Sequence, residues 1–400
     1  MAVLDQLQAQ MKHLDSIDFY HRKFEQASMD IGKVKSLEDF QKIPFTTPKE
    51  FQAEIQKPPS QCSLYSPEVT RVNLSPSGQE LYPVYQTNKD LEVMHQVCAR
   101  SLEAAGVTTQ DMVAVTFGYH LFIAGLFYQG QFEYYGSKVI PLGPGESARA
   151  VQLINDYEIG VLVSNPTFAM KLAEAGIPSV HTIFVGGEPF TSVQGYPEKV
   201  RAAFERDITI IDSYSMALCM PIARSCRHNN GLHIMDEFVF TEVIDPATGD
   251  PVPLGEKGEL VLTHLHKQAA PLLRYRTGDL TVLQEKPCAC GRSLTMPQSV
   301  IGRTDDMLKI KGVKFWPSQI ATILRSYPQF SPKYQVLVDS VKEVDTLTLL
   351  VEGKAGDAAV LDKLATHLKS ETLLKFNEIR ITDKIDDGPS VVDNRKGRTF

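Results

Sequence analysis

Between about residues 90 and 215, short β-rich runs alternate with helical patterns, and this rhythm restricts the fold more than any other feature of the chain. "MVAVTF", "KVIPLG", "IGVLVS" and "HTIFVGG" are apolar runs with glycine or proline near their ends. "LEVMHQVCARSLEAAG", "ESARAVQLINDY" and "PTFAMKLAEAG" carry apolar residues at helical spacing. Strands joined through helices pair in parallel, because a parallel neighbour needs a long crossover. The expectation is an α/β fold: mostly parallel strands flanked by helices on both faces.

Two other textures flank this region. Residues 1 to about 60 read as helical and irregular, ending in the extended "KIPFTT". From about 232 to 285 the pattern is a β-meander: "FVFTEVID", the turn "PATGD", then "GELVLTHL" and "LLRYRTGDLTVL". After Gly302 come strands "DMLKIKGVKF", "YQVLVD" and "TLTLLVE" with helices "PSQIATILRSY" and "AAVLDKLATHLKSETLL". A chain of 400 residues exceeds one compact core. The reading is a large domain over 1–304 and a small α+β domain over 305–400. No internal repeat or low-complexity tract is visible.

A formal charge of −7 argues against a nucleic-acid binder, which needs a basic surface to neutralise phosphates. The N-terminus has no apolar signal core, and no run of 18 apolar residues exists to span a membrane. Six cysteines in 400 residues make no disulfide scaffold. The chain therefore reads as cytoplasmic.

The stretch "RVNLSPSGQELYPVYQT" raises the first chemical question. Its Ser-Pro-Ser-Gly turn, with Ser75, Ser77 and Gly78, has small residues that let backbone N–H groups approach an anion. It has one glycine, no lysine and no threonine before the strand resumes. "IFVGGEPF" ends a strand in Gly187, Glu188 and Pro189, at the kind of strand-end crevice where α/β sheets bind ligands. "LLRYRTGDL" exposes Asp279, suited to vicinal ribose hydroxyls. "GRTDDMLKIKG" sets Arg303, Asp305 and Asp306 at the expected joint between domains. Cys226, His233, Cys288 and Cys290 offer three thiols and one imidazole, a set that suits a closed tetrahedral structural zinc site. His228 rivals His233 for that role, and the alternative is a group of buried free side chains. Cys62, Cys98 and Cys219 read as core cysteines. No Gly-x-Gly-x-x-Gly follows a strand, which disfavours a dinucleotide oxidoreductase.

In order and spacing these segments resemble phenylacetate–coenzyme A ligases, a branch of the adenylate-forming enzymes that includes acyl-CoA synthetases and adenylation domains. The resemblance runs from "FQKIPFTTPKEF" to the final residues through "FGYHLFIAGL", "VGGEPF", "RYRTGDL", "CACGR" and "GRTDDMLKIKGVKFWPSQI". It implies ATP-dependent activation of an aromatic carboxylic acid as an acyl adenylate, with transfer to coenzyme A, a carrier-protein thiol or an amine. It also implies AMP as a bound product, a mobile small domain, a structural zinc in some members, and often a homodimer.

Residue by residue, the resemblance puts Gly187, Glu188 and Pro189 along the adenine and Tyr214 stacked on it. Asp279 holds the ribose, helped by Arg303, and Asp305 is the hinge. Lys396 meets the carboxylate and the transferring phosphate, where a fixed cation offsets charge as the carboxylate attacks. Its plain alternative is a solvated tail lysine among Arg395 and Arg398. Tyr119 and His120 border the acyl pocket, although His120 also fits a packed, hydrogen-bonded histidine.

Two departures qualify this. The family's phosphate loop reads roughly S-S-G-T-T-G-x-P, and here "SPSGQELYP" lacks the threonines, the second glycine and the following basic residue. Leu218 stands where the family's glutamate would hold Mg²⁺, which leaves magnesium in question, with Glu242 or Asp236 as compensating ligands. The loop reads as a worn phosphate loop. The alternative is a non-adenylating member that binds nucleotide or acyl ligand, or a non-catalytic partner protein.

Overall fold

Apolar strands and capped helices alternate along the chain as the sequence pattern requires. The computed structural model describes residues 3–77, 80–193, 195–304, 308–310, 313–315, 317–324, 326–341, 344–354, 358–386 and 388–395. Gly78, Asp305 and Lys396 therefore lie outside the described residues.

The N-terminal region contains α1 (Val3–Asp15), α2 (Asp18–Gln26), α3 (Leu37–Gln41) and α4 (Pro48–Ile55). It also docks onto a much later segment. Gln10 donates to the Lys267 carbonyl at 2.7 Å, Tyr20 Oη donates to the Pro271 carbonyl at 2.6 Å, and His13 bonds the Gln268 carbonyl at 2.9 Å. A hairpin follows, β1 (Val69–Ser77) and β2 (Glu80–Thr87), leading straight into α5 (Asn88–Ala105). Thr87 and Asp90 form a reciprocal cap that fixes the start of α5, and Gly106 at φ 85° ends it.

Then β3 (Met112–Val115), α6 (Ala124–Tyr135), β4 (Lys138–Pro141), α7 (Ser147–Asp156), β5 (Val161–Ser164), α8 (Pro166–Glu174), β6 (Thr182–Val185), α9 (Tyr196–Ala203) and β7 (Thr209–Met216) supply the βαβ core. Strands β4, β3, β5, β6 and β7 pair in parallel in that order. Antiparallel β8 (Cys219–Ser225) and β9 (Leu232–Ile234) extend the sheet. The residues of β5 and β6 are all buried, as a strand covered on both faces must be. One apolar cluster on this sheet includes residues of α1, α2, α5 and α6, and a second includes α7, α8 and α9. The expected helix-flanked parallel sheet is present.

The meander is β10 (Val239–Ile244), β11 (Lys257–His264) and β12 (Tyr275–Val282), paired antiparallel. Next, β13 (Gln284–Glu285) and β14 (Leu294–Met296) join the large sheet through β9, and β15 (Gly302–Arg303) pairs with β12. Toward the C-terminus come β16 (Leu308–Ile310), β17 (Val313–Phe315), α10 (Ser318–Leu324), β18 (Phe330–Val341), β19 (Val344–Gly353), α11 (Ala358–Thr372), β20 (Glu378–Thr382) and β21 (Val391–Asp393). These elements share an apolar cluster of their own, with Ile310, Phe315, Val336, Leu349 and Leu364 at its centre. Among the described residues no helix is long and apolar enough to cross a membrane.

Candidate active site

Antiparallel register brings the ribose candidates together. Asp279 on β12 lies opposite Arg303 on β15. The Arg303 guanidinium donates to one Asp279 carboxylate oxygen, and Tyr214 Oη, at the end of β7, donates to the other at 2.5 Å. All three side chains are largely shielded from solvent, so the cation offsets the cost of withdrawing the carboxylate from water. Burial and the adjacent Asp279 charge hold the Tyr214 phenol well above its ordinary value. A carboxylate has about four lone-pair sites, so vicinal hydroxyls still find acceptors here.

The loop after β6 borders the same end of the sheet. Gly187 sits at φ 83°, a left-handed conformation that favours glycine. A Cβ at Gly186 would come within 3.2 Å of the Ser213 carbonyl and of Tyr128 Oη. Thr167 at the start of α8 donates through its hydroxyl to Glu188 at 2.7 Å. From beneath, buried Asp212 on β7 accepts from the Thr191 hydroxyl at 2.6 Å. Burial pushes the Asp212 carboxyl up to about 6, against the opposing pull of the Thr191 hydrogen bonds. Arg224 on β8, almost wholly buried, donates to Ser101 and Gln131 at 2.9 and 2.7 Å and to Ser213 at 3.2 Å. Sequence reading missed Asp212 and Arg224. The signal was a charge inside an otherwise apolar strand.

On the phosphate side the geometry differs. Ser75 pairs with Tyr82 and Ser77 with Glu80, so the ladder continues to the last described residue on each side. Ser75 is buried, and Tyr82, at the position of the family's basic residue, packs into the core. Leu218 is also buried there, at 4% exposure. Of the two candidate substitutes for the lost glutamate, Glu242 is already engaged. Glu242 gives one oxygen each to Arg274 Nη2 at 3.0 Å and Nε at 3.1 Å, both side chains being buried. Asp236 faces Arg292 at 3.4 Å.

Tyr119 is half-buried, and its hydroxyl is a buried atom without a partner among the described residues. His120 is exposed, which removes the packed alternative. Arg395, the residue before Lys396, is buried. It is 4% exposed and pairs with Asp345 at 2.9 Å and Asp393 at 2.5 Å. The residue before Lys396 is thus anchored to the sheet of β18, β19, β20 and β21.

The four metal candidates converge. Ligand atoms of Cys226, His233, Cys288 and Cys290 all lie within 4.8 Å of one another. Cys226 and Cys288 sulfurs are 3.6 Å apart, and Cys290 Sγ is 3.4 Å from His233 Nε2. Pairing of Thr295 with His233 across β14 and β9 holds the Cys-x-Cys loop against this edge. His228 contributes only its backbone N–H, to Cys226 Sγ at 3.4 Å. Burial pushes the Cys226 thiol up to about 12 in the absence of a cation, and burial lowers His233. A divalent ion held here would reverse the first cost and would use the neutral imidazole directly. Cys62, Cys98 and Cys219 are buried, as expected of core cysteines.

Residues 312–385 match a family model described as the C-terminal domain of AMP-binding enzymes. The chain is 36% identical over 349 residues to a phenylacetate-coenzyme A ligase of Thermus thermophilus, covering 84% of this chain and 77% of that one. It is 32% identical over 378 residues to the Escherichia coli protein of the same name, covering 88% and 84%. Among solved structures, a 2-hydroxyisobutyryl-CoA ligase with 2-HIB-AMP and CoA in its thioesterification state overlays with a TM-score of 0.91 at 25% identity, covering 98% of this chain and 89% of that one. The post-adenylation state of the same ligase gives 0.72.

Proposed function

Because the chain belongs to the phenylacetate–coenzyme A ligase family of acid–thiol ligases, we propose that it activates an aromatic carboxylic acid with ATP as an acyl adenylate. The acyl group then passes to coenzyme A or to a carrier-protein thiol. The observation that carries this reading is the Tyr214–Asp279–Arg303 group, set by strand pairing at the end of the sheet. In it Asp279 receives the ribose hydroxyls, Arg303 steadies the carboxylate, and Gly187, Glu188 and Pro189 lie along the adenine against Tyr214. Asp305 is the hinge and Lys396 the cation at the reacting carboxylate. Tyr119 and His120 border the acid.

The β1–β2 turn and buried Leu218 favour a restriction on this activity. Fewer donors face the β- and γ-phosphates, and no carboxylate stands at the usual magnesium position, so adenylation is slow relative to an ordinary ligase. The same observation supports a second reading, a member that keeps nucleotide or acyl-adenylate binding and has lost activation. Carboxylate-dependent ATP–pyrophosphate exchange across a panel of aromatic acids separates them. Exchange with any acid supports the first. Binding of AMP without exchange supports the second.

We also propose that Cys226, Cys288 and Cys290, as thiolates, and His233 through Nε2 hold one structural zinc. Closed thiolate-rich sites stabilise folding rather than activate water. Metal analysis should give about one zinc per chain, and a small fraction of that refutes the assignment. Cytoplasmic residence, where thiols stay reduced, and a homodimer complete the proposal, the latter open to sizing by light scattering.

A further inference from the structure

Strands β11 and β12 fall out of step beside Asp279. Glu259 pairs with Leu280 and Val261 with Arg276, so Thr277, Gly278 and Asp279 of β12 stand against Leu260 alone. Counted on from Arg276, a regular ladder would set Asp279 opposite Gly258. The bulge therefore decides where along the sheet the Asp279 carboxylate lies. Bulges re-aim side chains in this way.

A bulge also takes backbone groups out of the ladder, and these must find other partners. The Gly278 N–H donates to Glu259 Oε1 at 3.0 Å, and the Asp279 N–H donates to Thr277 Oγ1 at 3.0 Å. That hydroxyl donates in turn to the Leu260 carbonyl at 2.7 Å, so it binds both strands of the bulge. From β15 and the residue after it, Arg303 Nη2 donates to the Thr277 carbonyl at 3.3 Å and the Thr304 N–H to the Gly278 carbonyl at 2.8 Å. Gly278 sits at φ 74°, which glycine reaches without strain.

Glu259 is the costly member of this set, a carboxylate at 2% exposure. Its second oxygen accepts from Arg276 Nε at 3.0 Å and from Arg276 Nη2, which also donates to the Pro246 carbonyl at 2.9 Å. The guanidinium offsets the burial of the carboxylate and fixes its orientation. The carboxylate, a stronger acceptor than a neutral oxygen, fixes the bulge. A regularly paired strand has no spare N–H for such a group to take.

We propose that Glu259 and Thr277 are positioning residues for the ribose, holding the bulge that aims Asp279 between Tyr214 and Arg303. The inference rests on the ribose assignment of Asp279 and adds the two side chains on which its aim depends. Neither has to touch the nucleotide. A displacement of about 1 Å in a positioned group can cost about a hundredfold, so the aim matters as much as the carboxylate.

The test is ribose discrimination, read by calorimetry as the affinity for AMP against that for 2′,3′-dideoxy-AMP. The ratio belongs to the folded molecules, so a loss of stability does not alter it. Wild-type protein should favour AMP by at least about tenfold, from charge-assisted hydrogen bonds to the hydroxyls. Asp279→Ala should bring the ratio near unity. Thr277→Val keeps the side chain's shape and removes both its hydrogen bonds, and should bring the ratio to within about threefold of unity. The double replacement Glu259→Leu with Arg276→Leu should do the same, and it leaves no guanidinium without its carboxylate.

The two variants act from opposite strands of the bulge, so if one does not fold the other carries the test. A ratio retained in either folded variant, with both nucleotides bound alike or equally weakened, would mean that its contacts serve only the fold and would overturn the inference. That result leaves the ligase reading standing. A ratio retained in Asp279→Ala, or absent from the wild type, removes the ribose assignment and the inference with it.

Discussion

Asp279, Arg303 and Tyr214 on one side of the proposed nucleotide site, and the β1–β2 hairpin with Leu218 on the other, meet their requirements in different ways. On the first side, contacts follow from strand register. Arg303 is the direct pairing partner of Asp279, and Asp212 under the Gly186–Thr191 loop is the partner of Val185. On the second, the family's chemistry depends on loop donors and one glutamate, and nothing in the sheet depends on them. A hairpin can keep its ladder up to Ser77 and Glu80, and a leucine can fill the core at residue 218, without disturbing a single strand. Structure protects the half that is also scaffold, while the other half is free to change.

The largest expected effect is at Lys396. Lys396→Ala should lower acid-dependent exchange by about 10²–10³, as loss of a group that acts on the developing charge does. AMP affinity measured by calorimetry should stay within about twofold, since that charge acts mainly in the transition state. Loss of AMP binding in this variant would tie the tail to the retained half and break the contrast.

Asp212 probes the cost of that half. Its carboxyl is raised to about 6 from 3.8, so the folded state holds the proton more firmly. This group's contribution to stability is full below about pH 4 and is lost as pH rises through about 6. Asp212→Asn should remove the dependence. The difference in unfolding free energy between the two proteins should change by on the order of 3 kcal/mol between about pH 4 and 7, read by urea titration. A constant difference across that range would place the charge elsewhere.

Asp279→Ala should weaken AMP binding by about one to two decades, the worth of charge-assisted hydrogen bonds of about 1.5–3 kcal/mol. Unchanged affinity in calorimetry removes the ribose assignment. The smallest effect sharpens the contrast most directly. AMP should bind at least as tightly as ATP–Mg²⁺, because each absent phosphate donor forgoes about 0.5–1.5 kcal/mol. Tight, magnesium-dependent ATP binding would show that the turn still works as a phosphate loop.

Periodicity made the helix-flanked parallel sheet and the meander legible, because burial on both faces leaves continuous apolar runs such as "VLVS" in β5. The Cys226–His233–Cys288–Cys290 group was legible too, since few other roles suit those residue types together. Three features were not. Glu242 looked available until its bond to Arg274, which depends on how β10 meets the segment before β12. The burial of Arg395 was not legible because the pairing of β18 with β21 that places it is long-range. The contact of Glu259 with Gly278 depends on a bulge between β11 and β12, and the residue pattern does not announce where two strands fall out of step.

The docking of α1 and α2 onto residues 266–271 has a consequence for the making of the chain. Leu7, Met11 and Leu14 form the buried stripe of α1, yet the carbonyls that receive Gln10, His13 and Tyr20 belong to Lys267, Gln268 and Pro271. A ribosome adding about 5–20 residues per second releases the first helix roughly 10–50 s before its seat exists. During that interval the nascent chain presents an apolar helical face that only α2 and the other early segments can cover. The protein's yield in a cell should therefore depend on how that helix is shielded while it waits.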